Sequence, residues 1–176
     1  MKLLQTGQRP GHLIQALPVP KDLVPTAEDR DGLPIQCGAV CWRKHRGSVE
    51  VLLITSRDTG RWVIPKGWPM TGLTLGGAAA REAWEEAGVR GALSEAELGA
   101  FCYDKVLKPG KALHCRVNVY GLRVAALADK FPERKMRRRK WFDHAKAARK
   151  VAEPELRGLL MALPLLLGLD SALAAE

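Results

Sequence analysis

The sequence predicts one folded domain, an α/β sandwich with a mixed β-sheet. Apolar, β-branched segments stand on both sides of one glutamate-rich helical stretch, and a second helical stretch follows, so the order is strands, helix, strands, helix. A length of 176 residues with 47% hydrophobic content suits one substantial core and is short for two.

Residues 1–34 carry Pro10, Pro18, Pro20, Pro25 and Pro34 without a sustained apolar period, which predicts an N-terminal arm, with the domain over 35–176. From Ile35, "IQCGAVCW" and "VEVLLITS" read as a hairpin around the polar turn "RKHRGS", and "RWVIP" as a short third strand that stops at Pro65. After the helix, "LGAFCYDKVL" and "LHCRVNVYGLRVAAL" flank "KPGK", where Pro109 and Gly110 form a turn, giving a second hairpin. From Phe142 to Leu167 the apolar residues recur at helical spacing, with breaks expected at Pro154 and Pro164.

The segment "PKGWPMTGLTLGGAAAREAWEEAGVRG" places Glu82, Glu85 and Glu86 on one helix, with Thr74 as its N-cap and Gly88 as its left-handed C-terminal residue. On a 100° wheel the alanines and Trp84 fall on one side and the three carboxylates together on the other. Such like-charge neighbours cost about 0.2–0.5 kcal/mol per pair. A solvated acidic face is the ordinary explanation of such a cluster. A hard divalent cation, which takes oxygen ligands and often shares them with substrate phosphates, reverses the sign of that cost. Gly67, in the preceding loop, permits close approach of backbone to such an ion.

Taken with their spacing, Gly67, Arg81-Glu82, Glu85-Glu86, Gly88 and Val89 resemble the Nudix hydrolase signature. Leu73 stands where that family has its first glutamate, and Ala83 is smaller than the usual aliphatic residue. The resemblance spans residues 35 to 165 and implies an α/β/α sandwich around a mixed sheet. It also implies metal-dependent attack of water on a phosphoanhydride, with Mg²⁺, or Mn²⁺ in its place, as Lewis acid and template. By the same resemblance Glu82, Glu86 and the backbone carbonyl of Lys66 are metal ligands, with Glu85 beside them in the carboxylate set. Glu85 is the candidate base, Arg81 is read as holding one of the carboxylates of the signature in place, and Glu133 in "FPER" is the next candidate for the base.

"SRDTGRWVIPKG", "RVNVYGL" and "RRRKWF" look most like the diphosphoinositol polyphosphate and diadenosine polyphosphate hydrolases of that family. Carried over by position, Arg57 and Arg116 are phosphate contacts, and Lys66 is counted with them. In the basic run, strand alternation puts Arg137 and Arg139, which are counted with the substrate contacts, on one face and Met136, Arg138 and Lys140 on the other. The segment before the first strand, "LPIQ", lacks a basic residue, and Lys44, His45 and Arg46 in the next turn are the possible substitutes. His114 reads as a partly buried structural histidine.

A net charge of +9, from 28 Lys and Arg against 19 Asp and Glu, favours anionic partners in general. Aromatic residues are only 6%, with Trp68 the one good stacking candidate, which argues against a reader of unpaired RNA bases such as a 5′ pyrophosphohydrolase. A non-catalytic nucleotide-sensing module is the other alternative, motivated by Leu73 and opposed by the three retained glutamates. Cys37, Cys41, Cys102 and Cys115 form no metal or disulfide pattern and read as reduced, mostly buried thiols. "LLMALPLLLGL" is about half the roughly 20 residues a membrane span needs, so the expectation is a cytoplasmic protein with a small polyphosphate substrate and no membrane partner. Its oligomeric state is left open.

Overall fold

A computed structural model of the chain describes residues 27–169. Most of the predicted arm therefore lies outside the described residues, and only its last turn is seen: Asp29 accepts hydrogen bonds from the Asp31 and Leu33 amides, at 2.9 Å each, and leads the chain into the sheet. Strand β1 (Ile35–His45) turns on Arg46 and Gly47 into β2 (Ser48–Thr55). The turn is thus two residues rather than the six expected, because Arg43, Lys44 and His45 pair with Glu50, Val49 and Ser48 and prolong both strands. The expected third strand is split around Ile64 and Pro65 into β3 (Trp62–Val63) and β4 (Lys66–Gly67), since proline cannot donate to a ladder.

Helix α1 (Leu75–Ala87) follows, then β5 (Val89–Lys108) and β6 (Lys111–Leu127), turning at Pro109 and Gly110 as read. β5 begins nine residues earlier than "LGAFCYDKVL" does, because Val89 to Leu93 already pair with Leu127 to Leu122, and bulges at 90/91, 93/97 and 97/99 bend the strand. β7 (Arg139–Asp143) and the short helices α2 (His144–Lys150), α3 (Pro154–Met161) and α4 (Leu163–Leu166) complete the described chain. Pro154 and Pro164 open helices rather than break one, as expected of a residue with no amide to satisfy in the first turn.

The strand order is β3-β2-β1-β6-β5, with β4 on β1 and β7 on β2. β1 runs parallel to β6 and antiparallel to β2 and β4, so the sheet is mixed. Alternation along β1 sends Cys37, Ala39 and Cys41 to one face, under Ala79, Ala83 and Ala87 of α1, and Val40 and Trp42 to the other, against Leu156, Leu160 and Leu163. Three layers result, with α1 on one face and α2, α3 and α4 on the other.

Helix α1 has the predicted caps. The Thr74 hydroxyl accepts from the Gly77 amide at 3.0 Å, and Gly88 adopts φ 66° with its amide bonded back to the last turn. The predicted division of the helix into an apolar side and an acidic side does not hold. Glu82 and Glu86 are buried in line with Ala79, Ala83 and Ala87, while Trp84 is only half-buried. The wheel considered a sheet on one flank; in the folded chain β4 lies along a second flank and covers both carboxylates. Leu73 is 47% exposed and lies over Gly77 at the start of α1.

Candidate active site

The site is built where β4 crosses the flank of α1. Gly67 has no side chain at the point where a Cβ would coincide with the Glu82 carboxylate, so only glycine lets that carboxylate rest on the β4 backbone. One residue earlier, the Lys66 amide donates to Glu86 Oε2 at 3.3 Å. Two buried carboxylates from successive turns are therefore drawn to the same two residues of backbone. Cys37 and Cys41 lie beneath them on β1: burial and then the Glu82 charge push the Cys37 thiol up to about 12, and burial with Glu86 raises Cys41 too. Both thiols stay protonated and inert.

The compensating cation is Arg137. Its guanidinium, 8% exposed, donates from Nη2 to Glu86 Oε1 and from Nε to Glu133 Oε2, each at 2.6 Å, and from Nη1 to the Thr55 carbonyl at 3.1 Å. Glu133 is buried as well, and its amide donates to the Glu85 carbonyl at 2.9 Å, which ties the 129–136 loop across the end of α1. Arg137 also lines a cavity of about 400 Å³ with Phe131, Arg134, Arg138 and Arg139. Arg137 and Arg139 do turn inward while Met136, Arg138 and Lys140 are exposed, in line with the alternation. Arg139, however, donates to the Ala87 carbonyl at 2.6 Å and stacks over Phe131, capping the helix end as a cation should.

Arg81 donates from Nε to Glu85 Oε1 at 2.7 Å, one turn apart, and both are partly exposed at the rim of the carboxylate pair. Arg116 is half-buried on β6, its amide bonded to the Pro34 carbonyl at 3.0 Å, and alternation puts its side chain on the α1 face with Tyr120. Arg57 is exposed in the turn after β2. Lys44, His45 and Arg46 lie at the far end of β1, about 26 Å along the strand from Cys37, where β4 pairs, at roughly 3.3 Å per residue. They do not reach the site. His114 is 55% exposed and paired with Asp104 at 2.6 Å, so it is a surface residue and not the partly buried one expected.

Sequence reasoning missed a polar group on the opposite face of the sheet. The Lys66 side chain passes through to that face, where its ammonium stands 4.3 Å over the Tyr103 ring. Burial lowers it from its usual 10.5 to about 8, and the charges of Glu86 and Glu153 offset part of that fall. The Tyr103 hydroxyl donates to Gln36 Oε1 at 2.6 Å, and burial raises that phenol. Glu153, 7% exposed, is paired with Arg61 at 3.0 Å. Read locally, Glu153 is only the residue before a helix-opening proline, and nothing in the sequence signals its burial.

No group of three His, Cys, Asp or Glu side chains is gathered closely enough to hold a metal among the described residues. Glu86 is held by Arg137 and Glu85 by Arg81, while Glu82 and Glu86 share the β4 backbone. The donor set is nonetheless all oxygen, as a hard divalent cation requires, so these residues fit such an ion once Arg137 yields its hold on Glu86.

The model of the NUDIX domain matches residues 33–163. Diphosphoinositol polyphosphate phosphohydrolase 3-beta of Homo sapiens is 34% identical over 116 residues, 65% of this chain and 66% of that protein. The phosphohydrolase 2 of Rattus norvegicus is 38% identical over 73 residues, 42% of this chain and 40% of that one. The aligned part is thus just under two thirds of the first relative and less of the second. A crystal structure of a C. elegans Ap4A hydrolase binary complex superimposes with a TM-score of 0.57 and 26% identity, over 76% of this chain and 97% of that one. The glutamate helix, its two caps, the glycine beneath Glu82 and the mixed sheet that carries them all fall inside the matched segment, and the chain belongs to the Nudix family.

Proposed function

We propose that the chain is a divalent-metal-dependent pyrophosphohydrolase that cleaves a phosphoanhydride in a small phosphorylated substrate, a dinucleoside polyphosphate or a diphosphoinositol polyphosphate. The observation that carries this is the seating of Glu82 on the Gly67 backbone, with Glu86 one turn on bonded to the Lys66 amide. Burying two carboxylates against one short strand is costly unless a cation joins them. Glu82, Glu86 and the Lys66 carbonyl would hold Mg²⁺, or Mn²⁺ in its place, with Glu85 at the rim. When bound, that ion supplies charge neutralisation for the phosphates and lowers the barrier to deprotonating water.

The remaining work belongs to side chains. Glu85, fixed through Oε1 by Arg81, orients the attacking water and takes its proton on Oε2. Arg137, released from Glu86, and Arg116, on the α1 face, meet the phosphate oxygens, with Lys66 and Arg57 farther along the same anion and Arg139 held at the helix end behind them. Depleting the chain of divalent ions and then titrating Mg²⁺ or Mn²⁺, while following hydrolysis of diadenosine tetraphosphate and of an inositol pyrophosphate, tests the reading. Hydrolysis should vanish in excess chelator and return with the metal; turnover unaffected by chelator would end it.

A further inference from the structure

Phe131, Arg134, Arg137, Arg138 and Arg139 line one cavity of about 400 Å³, within the roughly 300–1,000 Å³ of ordinary ligand sites. A solvated basic loop would spread its side chains; here four arginines and one ring border a single void. Arg139 lies 4.9 Å over the Phe131 ring and is fixed on the Ala87 carbonyl at 2.6 Å. Among the described residues no carboxylate stands within ion-pair distance of Arg134, Arg138 or Arg139, and Asp129 acts on Arg139 only from farther off. Burial and then the Arg134 charge hold the Arg139 guanidinium below its usual range, so these cations crowd one another. A guanidinium keeps its charge at any ordinary pH, and its planar fork fits phosphate oxygens two at a time. Arg137 differs from the other three. It is 8% exposed, and its charge is already taken by Glu86 and Glu133, at 2.6 Å each.

We propose that this cavity is an anion site for a phosphate group and that Arg137 couples it to the metal centre: an anion held by Arg134, Arg138 and Arg139 draws Arg137 off Glu86 and opens Oε1 to the divalent ion. The assignment rests on the metal centre of the pyrophosphohydrolase reading above. Nε of Arg137 stays on Glu133 as a pivot, and Nη2 exchanges one anion for another. The exchange keeps both charges paired, since Glu86 passes to the ion as Arg137 passes to the phosphate. Without the anion, the ion meets an Oε1 that Arg137 already holds; without the ion, a departing Arg137 leaves a buried carboxylate short of its cation. Each ligand therefore strengthens binding of the other, and by the same factor. The phosphate group is carried by the substrate or is free, and its chemistry in the cavity is the same.

The test is calorimetric and needs no turnover. Inorganic phosphate titrated into the chelated full chain should bind, and the double variant Arg134→Gln, Arg138→Gln, altered only at exposed residues, should bind it about tenfold or more weakly. With ionic strength matched by chloride, phosphate should raise the Mg²⁺ affinity of the unaltered chain about fivefold or more, and Mg²⁺ should raise the phosphate affinity equally. The double variant should bind Mg²⁺ alone as the unaltered chain does and lose that gain, which separates this cavity from phosphate that merely bridges onto the ion. No phosphate binding in chelator, or a gain in Mg²⁺ affinity that persists in the double variant, would overturn the assignment. Mg²⁺ that fails to bind with or without phosphate would overturn the metal centre and the coupling with it, whereas Mg²⁺-dependent turnover with no effect of phosphate on Mg²⁺ affinity sinks the coupling alone. Kinetics then identify the carrier of the phosphate. A KM for diadenosine tetraphosphate that rises with added phosphate in the unaltered chain, and not in the double variant, assigns the cavity to the substrate's own phosphates; a lower Mg²⁺ requirement at unchanged KM assigns it to free phosphate.

Discussion

Replacing Arg137 by methionine removes the cation that bridges Glu86 and Glu133 while keeping comparable bulk. Its three hydrogen bonds, two of them to buried carboxylates at 2.6 Å, are lost together. Deleting one partner of a buried ion pair costs about 3–5 kcal/mol, because a charge is left behind in a dry place. For a domain of this size 1 kcal/mol moves the melting temperature by roughly 2–4 °C, so about 3 kcal/mol corresponds to roughly 6–12 °C. That loss is expected in chelator. In Mg²⁺ the outcome differs, because a ligand at a hundred times its Kd stabilises by about 2.7 kcal/mol, close to the deficit. The variant should therefore gain more from Mg²⁺ than the unaltered chain, in which the ion must first displace Arg137 from Glu86. Thermal melts by circular dichroism across a Mg²⁺ titration read this directly. If Arg137→Met lowers the melting temperature equally in chelator and in saturating Mg²⁺, Arg137 and the metal do not share Glu86, and the proposed centre is wrong.

Glu85→Gln should leave the melting temperature within a few degrees and reduce kcat by about 10²–10⁴, the usual yield of a positioned acid or base; near-normal turnover would move the role to Glu133. Leu73→Glu places a carboxylate at a position already 47% exposed, so stability should change by less than about 0.5 kcal/mol and turnover only modestly. A silent chain that gained strong hydrolysis from this one change would reveal a binding module instead. Lys66, lowered by burial to about 8, should lose its proton between pH 7 and 9, so KM for a polyphosphate rises over that window; Lys66→Arg, which keeps its charge, should flatten the profile. The sign of the linked stability is opposite. Between about pH 8 and 10.5 the unfolded chain binds the extra proton, so Lys66 makes stability rise with pH there, and Lys66→Met should remove that slope in equilibrium denaturation.

The helix and its caps were legible because Thr74, Gly88 and the glutamate spacing are local signals confined to fifteen residues. The hairpins were legible for the same reason, at Gly47 and at Pro109-Gly110. What was misread depends on contacts remote in sequence. The wheel put Glu82 and Glu86 on an acidic side apart from the packed alanines because the strand that buries them, Lys66–Gly67, is two residues long and has no strand period. Arg137 reaches Glu86 across 51 residues and Thr55 across 82, and strand alternation, which sets Arg137 and Arg139 on one face, does not tell which of the two meets a carboxylate. Glu153 is buried because α3 docks against β5, a tertiary event that no pattern around Pro154 encodes.

The parallel ladder between β1 and β6 also governs how the molecule comes into being. Ile35 finds its partner in Arg116, 81 residues later, so the central pair of the sheet cannot close until the intervening hairpin strand and α1 have been made. At roughly 5–20 residues per second on the ribosome, β1 waits about 4 to 16 s, with Cys37, Val40 and Cys41 uncovered on an open edge. The tight antiparallel pairing with β2 is then a chaperone of sorts, occupying the other edge within moments of synthesis. Arg137 emerges later still, so Glu86 is in place on α1 before the arginine that bonds its Oε1. A nascent chain halted before residue 137 would present Glu86 without its Arg137 contact, a form in which an ion seeking Oε1 has no arginine to displace.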